Sequence, residues 1–110
     1  MNAPSDVLLV LTNLPDRKAA LTLANALIEE KLAACVNVLG ECTSVYRWKG
    51  AVENAAEIPL LIKTAASRYA ALEAAIRKLH PYELPEIIAV PLAHGLPEYL
   101  QWVAEQTQVA

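Results

Sequence analysis

The chain has 110 residues, of which 55% are hydrophobic and 19% charged, and a net charge of −3. Those numbers fit one domain over residues 1–110 with an apolar core. They exclude a disordered chain, and they argue against a general nucleic-acid binder, which carries a basic face. No apolar run reaches the roughly 18–20 residues that span a bilayer, and no basic region precedes Asp6, so neither a membrane span nor a secretory signal is expected. Cys35 and Cys42 form no CxxC pair, which fits a reducing cytoplasm and gives no zinc framework.

Residues 1–5 read as a loose tail. Val7-Leu8-Leu9-Val10-Leu11 is a continuous branched apolar run, predicted as a strand buried on both faces. Thr12-Asn13-Leu14-Pro15-Asp16 ends it and opens a helix to about Lys31, with Pro15 in the first turn and Asp16 near the positive helix end. Lys18, Thr22, Asn25 and Glu29 mark its wet face. Ala20, Ala24, Leu27 and Ile28 form its buried stripe.

A second strand begins at Ala34, with Cys35 and Asn37 on one face and Val36 and Val38 on the other. Gly40-Glu41 predicts a bulge or bend. The strand resumes over Thr43–Trp48, turns at Lys49-Gly50 and returns from Ala51 to Thr64. Pro59 gives the return arm no ladder donor at that point. This hairpin is long for so short a chain and is expected to reach another subunit.

A second helix is predicted from Ala66 to Leu79, capped by Thr64 or Ser67, with Tyr69, Leu72, Ile76 and Leu79 inward. The densest polar stretch follows, His80-Pro81-Tyr82-Glu83-Leu84-Pro85-Glu86. Its prolines hold His80 and Leu84 extended ahead of a strand over Ile87–Val90. A rigid loop at the mouth of a strand is a natural functional position. Pro97 opens a last helix with Tyr99, Leu100 and Val103 inward, and His94 ahead of Gly95 faces solvent.

The order β-α-β-β-α-β plus a C-terminal helix predicts an α+β, ferredoxin-like sandwich with a long hairpin between its second and third strands. Two helices cover one sheet face. The other face is also apolar, which predicts that a further copy of the chain covers it.

The residues of several blocks carry a resemblance. Glu30-Lys31-Leu32-Ala33-Ala34-Cys35-Val36-Asn37-Val38, Ser44-Val45-Tyr46-Arg47-Trp48-Lys49-Gly50, Glu57 with Lys63-Thr64, His80–Ile87 and Tyr99-Leu100-Gln101-Trp102 together resemble the CutA family, the divalent-cation tolerance proteins, over nearly the whole chain. The resemblance implies a ferredoxin-like fold, a homotrimer with sheets packed inward, a cytoplasmic location in bacteria, a link to copper and other divalent ions, and no enzymatic reaction. It implies no obligatory cofactor, with Cu²⁺ or another divalent cation as the ion bound. Some members have cysteine where this chain has Thr12, and a doubled histidine where it has Leu79-His80.

His80 and Cys35 are the metal-ligand candidates, since imidazole and thiolate suit copper. The competing readings are a loop histidine bonded to a backbone carbonyl and a small core cysteine. Tyr46, Trp48, Lys63, Tyr82, Glu83 and Glu86 are candidates for a ligand cleft between subunits, as in the similar trimeric PII signalling proteins, against plain interface packing. Lys63, near the end of the buried return strand, needs a carboxylate partner, for which Glu57, Glu83 and Glu86 are candidates. An enzyme using His80 with Glu83 or Glu86 as acid and base lacks a nucleophile, phosphate loop or cofactor fingerprint.

Overall fold

Every strand of the sheet is antiparallel to its neighbours, and the strand with most partners is the long return arm of the hairpin. The computed structural model describes residues 6–109, so the tail expected over residues 1–5 lies outside the described residues. In chain order the elements are β1 (Val7–Leu14), α1 (Arg17–Glu29), β2 (Cys35–Val38), β3 (Cys42–Trp48), β4 (Ala51–Ala65), a 3-10 turn (Ala66–Arg68), α2 (Tyr69–Leu79), β5 (Ile88–Pro91) and α3 (Pro97–Gln106). The sheet order is β2-β4-β1-β5, and β3 pairs with the first half of β4. This is the expected ferredoxin-like α+β sandwich with its additional C-terminal helix.

The split of the second strand has a simple geometric cause. Val38 pairs with Leu60 and Cys42 with Glu57, so residues 39–41 oppose only residues 58–59. The extra residue is a bulge, and Gly40 lies within it. Beyond the bulge β3 and β4 pair only with each other, because β1 ends at Leu14 opposite Ile58. The hairpin therefore projects past the sheet. Lys49 and Gly50 both have positive φ, 51° and 84°, as a two-residue type I′ turn requires.

One sheet face carries Val10, Leu14, Ile58, Leu60 and Ile62 against Ala20, Leu23 and Leu27 of α1 and Leu72 and Ile76 of α2, all buried. Thr12 lies among them with its hydroxyl buried and without a hydrogen-bond partner among the described residues. On the opposite face α3 covers one end, where Leu100 and Val103 pack on Val7. The remainder carries Leu9, Leu11 and Leu61, half-buried, and Ile88 and Val90, exposed.

Three local expectations are corrected. Ile28 is 41% exposed and Leu79 48%, so neither joins its helix's buried stripe; Leu23 takes the place assigned to Ile28. Tyr99, expected inward, is exposed on the flank of α3. Neither Thr64 nor Ser67 caps the second helix, because the Thr64 hydroxyl donates instead to the Leu32 carbonyl at 2.7 Å.

The first helix is bounded at both ends by backbone chemistry. The Asp16 carboxylate accepts from the Ala19 N–H at 2.8 Å, so Asp16 is its N-cap. At the other end Leu32 N–H donates to the Leu27 carbonyl and Lys31 N–H to that of Ile28, with Lys31 at φ 58°. This is a Schellman ending with a lysine where glycine is favoured. Lys31→Gly should raise stability by about 1 kcal/mol in urea unfolding, since the left-handed conformation no longer opposes a Cβ. An unchanged or lowered midpoint would show that the lysine stem contributes packing that offsets the strain.

Candidate functional site

The polar loop of residues 80–86 docks where β1 ends and the hairpin leaves the sheet. His80 closes α2: its N–H still bonds the Ile76 carbonyl, but its backbone is extended, as Pro81 demands. The side chain then turns inward and is 7% exposed. Nε2 lies 2.6 Å from the carbonyl oxygen of Asn13, so Nε2 carries the proton and donates. Nδ1 accepts the Tyr82 N–H at 3.2 Å. Both ring nitrogens are thus engaged, in one tautomer. A metal ion or a general-base reaction at His80 would first have to displace one of these bonds.

Tyr82 continues the array. Its ring lies 4.7 Å from the His80 ring, tilted by 53°. Its hydroxyl donates to the Glu57 carboxylate at 2.9 Å, and Glu57 is itself 8% exposed at the base of the hairpin. Burial, and then the hydrogen bond and negative charge of Glu57, push the Tyr82 phenol up to about 12. Tyr46 and Asp16 add smaller contributions in the same direction, which places Tyr46 in the same neighbourhood. Asn13, whose carbonyl holds His80, also donates through Nδ2 to Glu86 at 3.2 Å.

The structure thus brings Tyr46, Tyr82 and Glu86 together with His80, and adds Asn13 and Glu57. It places the remaining candidates elsewhere. Glu83 lines a shallow pocket with Glu73, Arg77, Leu84, Pro85 and Ile87. Trp48 sits at the hairpin tip with the Lys49 amine 5.6 Å from its ring centroid. Lys63 hydrogen-bonds the Asn37 side-chain oxygen, not Glu57, Glu83 or Glu86. The carboxylate partner expected for Lys63 within its own chain is therefore corrected to a neutral amide.

Cys35 is paired across the sheet with Lys63, whereas Asn13, which holds His80, pairs with Pro59. Those positions on β4 are four residues apart, on the order of 13 Å of strand. The two expected ligands do not converge. Thr12 faces the helices and offers no third partner, and among the described residues no group of three or more His, Cys, Asp or Glu side chains is placed to hold a metal ion. Cys35 instead lies beside the Tyr99 hydroxyl, which is pushed up by its own burial first and by Cys35 second.

Asn13 and Glu57 are the members of this array that the residues alone did not assign to it. Asn13 holds His80 through its backbone carbonyl, which any residue offers. Glu57 shows a signal only as an acid next to the apolar run Ile58–Ile62 of the return strand.

A model of the CutA1 divalent ion tolerance protein family matches residues 8–106. The divalent-cation tolerance protein CutA of Thermus thermophilus is 47% identical over 98 residues, which are 89% of this chain and 95% of that protein. Protein CutA of Mus musculus is 42% identical over 96% of this chain, which spans only 59% of the mouse protein. Among solved structures, the Thermus thermophilus divalent cation tolerance protein superposes with a TM-score of 0.91 at 45% identity, covering 93% of this chain and 99% of that one. CutA1 of Oryza sativa gives 0.90 at 39% identity, covering 94% and 95%.

Proposed function

The chain belongs to the CutA1 family of divalent ion tolerance proteins, and from that membership we propose that it acts in divalent-cation tolerance as a non-enzymatic homotrimer. The observation that carries the trimer is the unfilled sheet face. Leu9, Leu11, Leu61, Ile88 and Val90 line it, the last two about half exposed. An apolar row of this kind on a single chain calls for a covering surface. The projecting hairpin gives a second reason, since a two-stranded ribbon alone is marginally stable in water.

The absence of catalysis is supported by His80, whose ring nitrogens are both held by backbone groups. The same bonds make any ion site here a weak one. We propose Cu²⁺ or another divalent cation as the ion, bound near His80 only when Nδ1 gives up the Tyr82 N–H. Cys35 would join such a site only from a neighbouring copy. The family names support tolerance to divalent cations in general, and copper is our finer reading of it. We place the protein in the cytoplasm on the strength of two unpaired thiols, Cys35 and Cys42.

A second reading, a small molecule held in a cleft between subunits as in the PII proteins, is favoured by the buried Glu57–Tyr82 pair beside Tyr46 and Glu86. Light scattering at micromolar concentration and a Cu²⁺ and Zn²⁺ titration against a chelator test the proposal together. The expected results are three times the chain mass and weak metal binding that falls further in folded His80→Ala. A monomer mass refutes the assembly. Tight binding that survives His80→Ala puts the metal elsewhere.

A further inference from the structure

Lys63 puts an ammonium on a sheet face that is otherwise uncharged around it. Its neighbours across the strands are Leu9 on β1 and Cys35 on β2, and its hydrogen bond goes to the Asn37 amide oxygen. Within the chain the acids that could have paired with it are used otherwise. Glu57 takes the Tyr82 hydroxyl, Glu86 takes the Asn13 amide, and Glu83 lies in the pocket beside Arg77. If another copy covers this face, the ammonium enters the interface with one neutral partner. A desolvated charge without a counter-charge strongly disfavours association. The covering surface must then bring a carboxylate.

The chain carries a surface that matches. One face of the projecting hairpin presents Tyr46 and Trp48 from β3 and Glu53 from β4, with Glu53 directly opposite Tyr46. Glu53 is exposed, and it stands on the part of β4 that β1 does not reach. A carboxylate among aromatic rings on one surface complements an ammonium among aliphatic side chains on the other, in both charge and polarity. We propose that the hairpin of one copy lies on the open sheet face of the next, with the Glu53 carboxylate meeting the Lys63 ammonium across the interface. This rests on the reading that the chain assembles with copies of itself. The two surfaces differ, so the contact is head-to-tail, and the proposed trimer requires that its rotation close into a ring of three. The pairing fixes the register of an interface whose apolar contacts alone would tolerate slippage.

Self-association of the full chain, followed by light scattering through a dilution series, tests the pairing on Lys63→Glu, Glu53→Lys and the double reversal. Each single reversal should weaken association about a hundredfold by setting like charges together, and the double should regain most of that loss. Lys63→Met, which keeps the stem and introduces no repulsion, should weaken it about tenfold, because a carboxylate is left unpaired. Association unchanged by the single reversals, a double no tighter than the singles, or a Met variant that associates more tightly than wild type would each overturn the pairing. A wild type that stays monomeric removes the assembly itself, a result separable from these.

Discussion

Replacing His80 with alanine should destabilise the fold by about 3 kcal/mol, more than any surface change in the loop. Two costs add. The imidazole fills a site that is only 7% exposed, so its removal leaves a cavity between the loop and the end of β1. It also strands the Asn13 carbonyl and the Tyr82 N–H, each of which loses its partner. His80→Asn separates the two, since an amide can replace one of the bonds but cannot span both. It should recover roughly 1 kcal/mol of the loss. Urea unfolding of the three proteins reads the difference. A His80→Ala midpoint within experimental error of wild type would mean that the histidine is kept for ion binding and not for structure.

That expectation reverses the ordinary reading of the residue. A histidine before a proline, in a loop rich in acids, looks like a ligand or a solvated side chain. In this chain it is buried, and it can ligate only by giving up a bond, because its partners are the Asn13 carbonyl, 67 residues away, and the Tyr82 N–H, two residues on. Periodicity says nothing about a bond of the first kind. The same limit hid the Glu57–Tyr82 contact, whose partners lie 25 residues apart on β4 and on the loop after α2.

What was legible was whatever a short window encodes. The branched run of β1, the Lys49-Gly50 turn, the extended backbone ahead of Pro81 and the wet face of α1 all follow from local rules. Failures came one step from those rules. Ile28 sits next to Leu27, yet α1 is rotated so that residues 20, 23, 24 and 27 meet the sheet. Leu79 fits the spacing of the α2 stripe, but it is the last helical residue, where the chain leaves the core and His80 turns in instead. Lys63 is half-buried near the end of β4. Its face, set by alternation from Ile62, is shared with Glu57, but the two stand six residues apart, on the order of 20 Å of strand, and the ammonium bonds the Asn37 amide oxygen instead.

Tyr82→Phe should cost about 2 kcal/mol at neutral pH, and this cost should disappear in alkali. The hydroxyl is the donor to a carboxylate that is 8% exposed, and a hydrogen bond to a charged group contributes in that range. The folded phenol is pushed up to about 12, above its ordinary 10.0. Below pH 10 the phenol is protonated in both states and the stabilisation is fully present. Between 10 and 12 the unfolded chain releases the proton while the folded one holds it, so the stabilisation falls. Above 12 the folded phenolate faces the Glu57 charge and nothing remains. The wild-type and Phe curves of unfolding free energy against pH should therefore run parallel up to pH 10 and converge by about 12. A gap that stays constant through that window would show that the hydroxyl contributes packing alone, and that Glu57 draws its stability from another group. A gap that opens with pH would reverse the sign and place the phenolate, not the phenol, in the folded state.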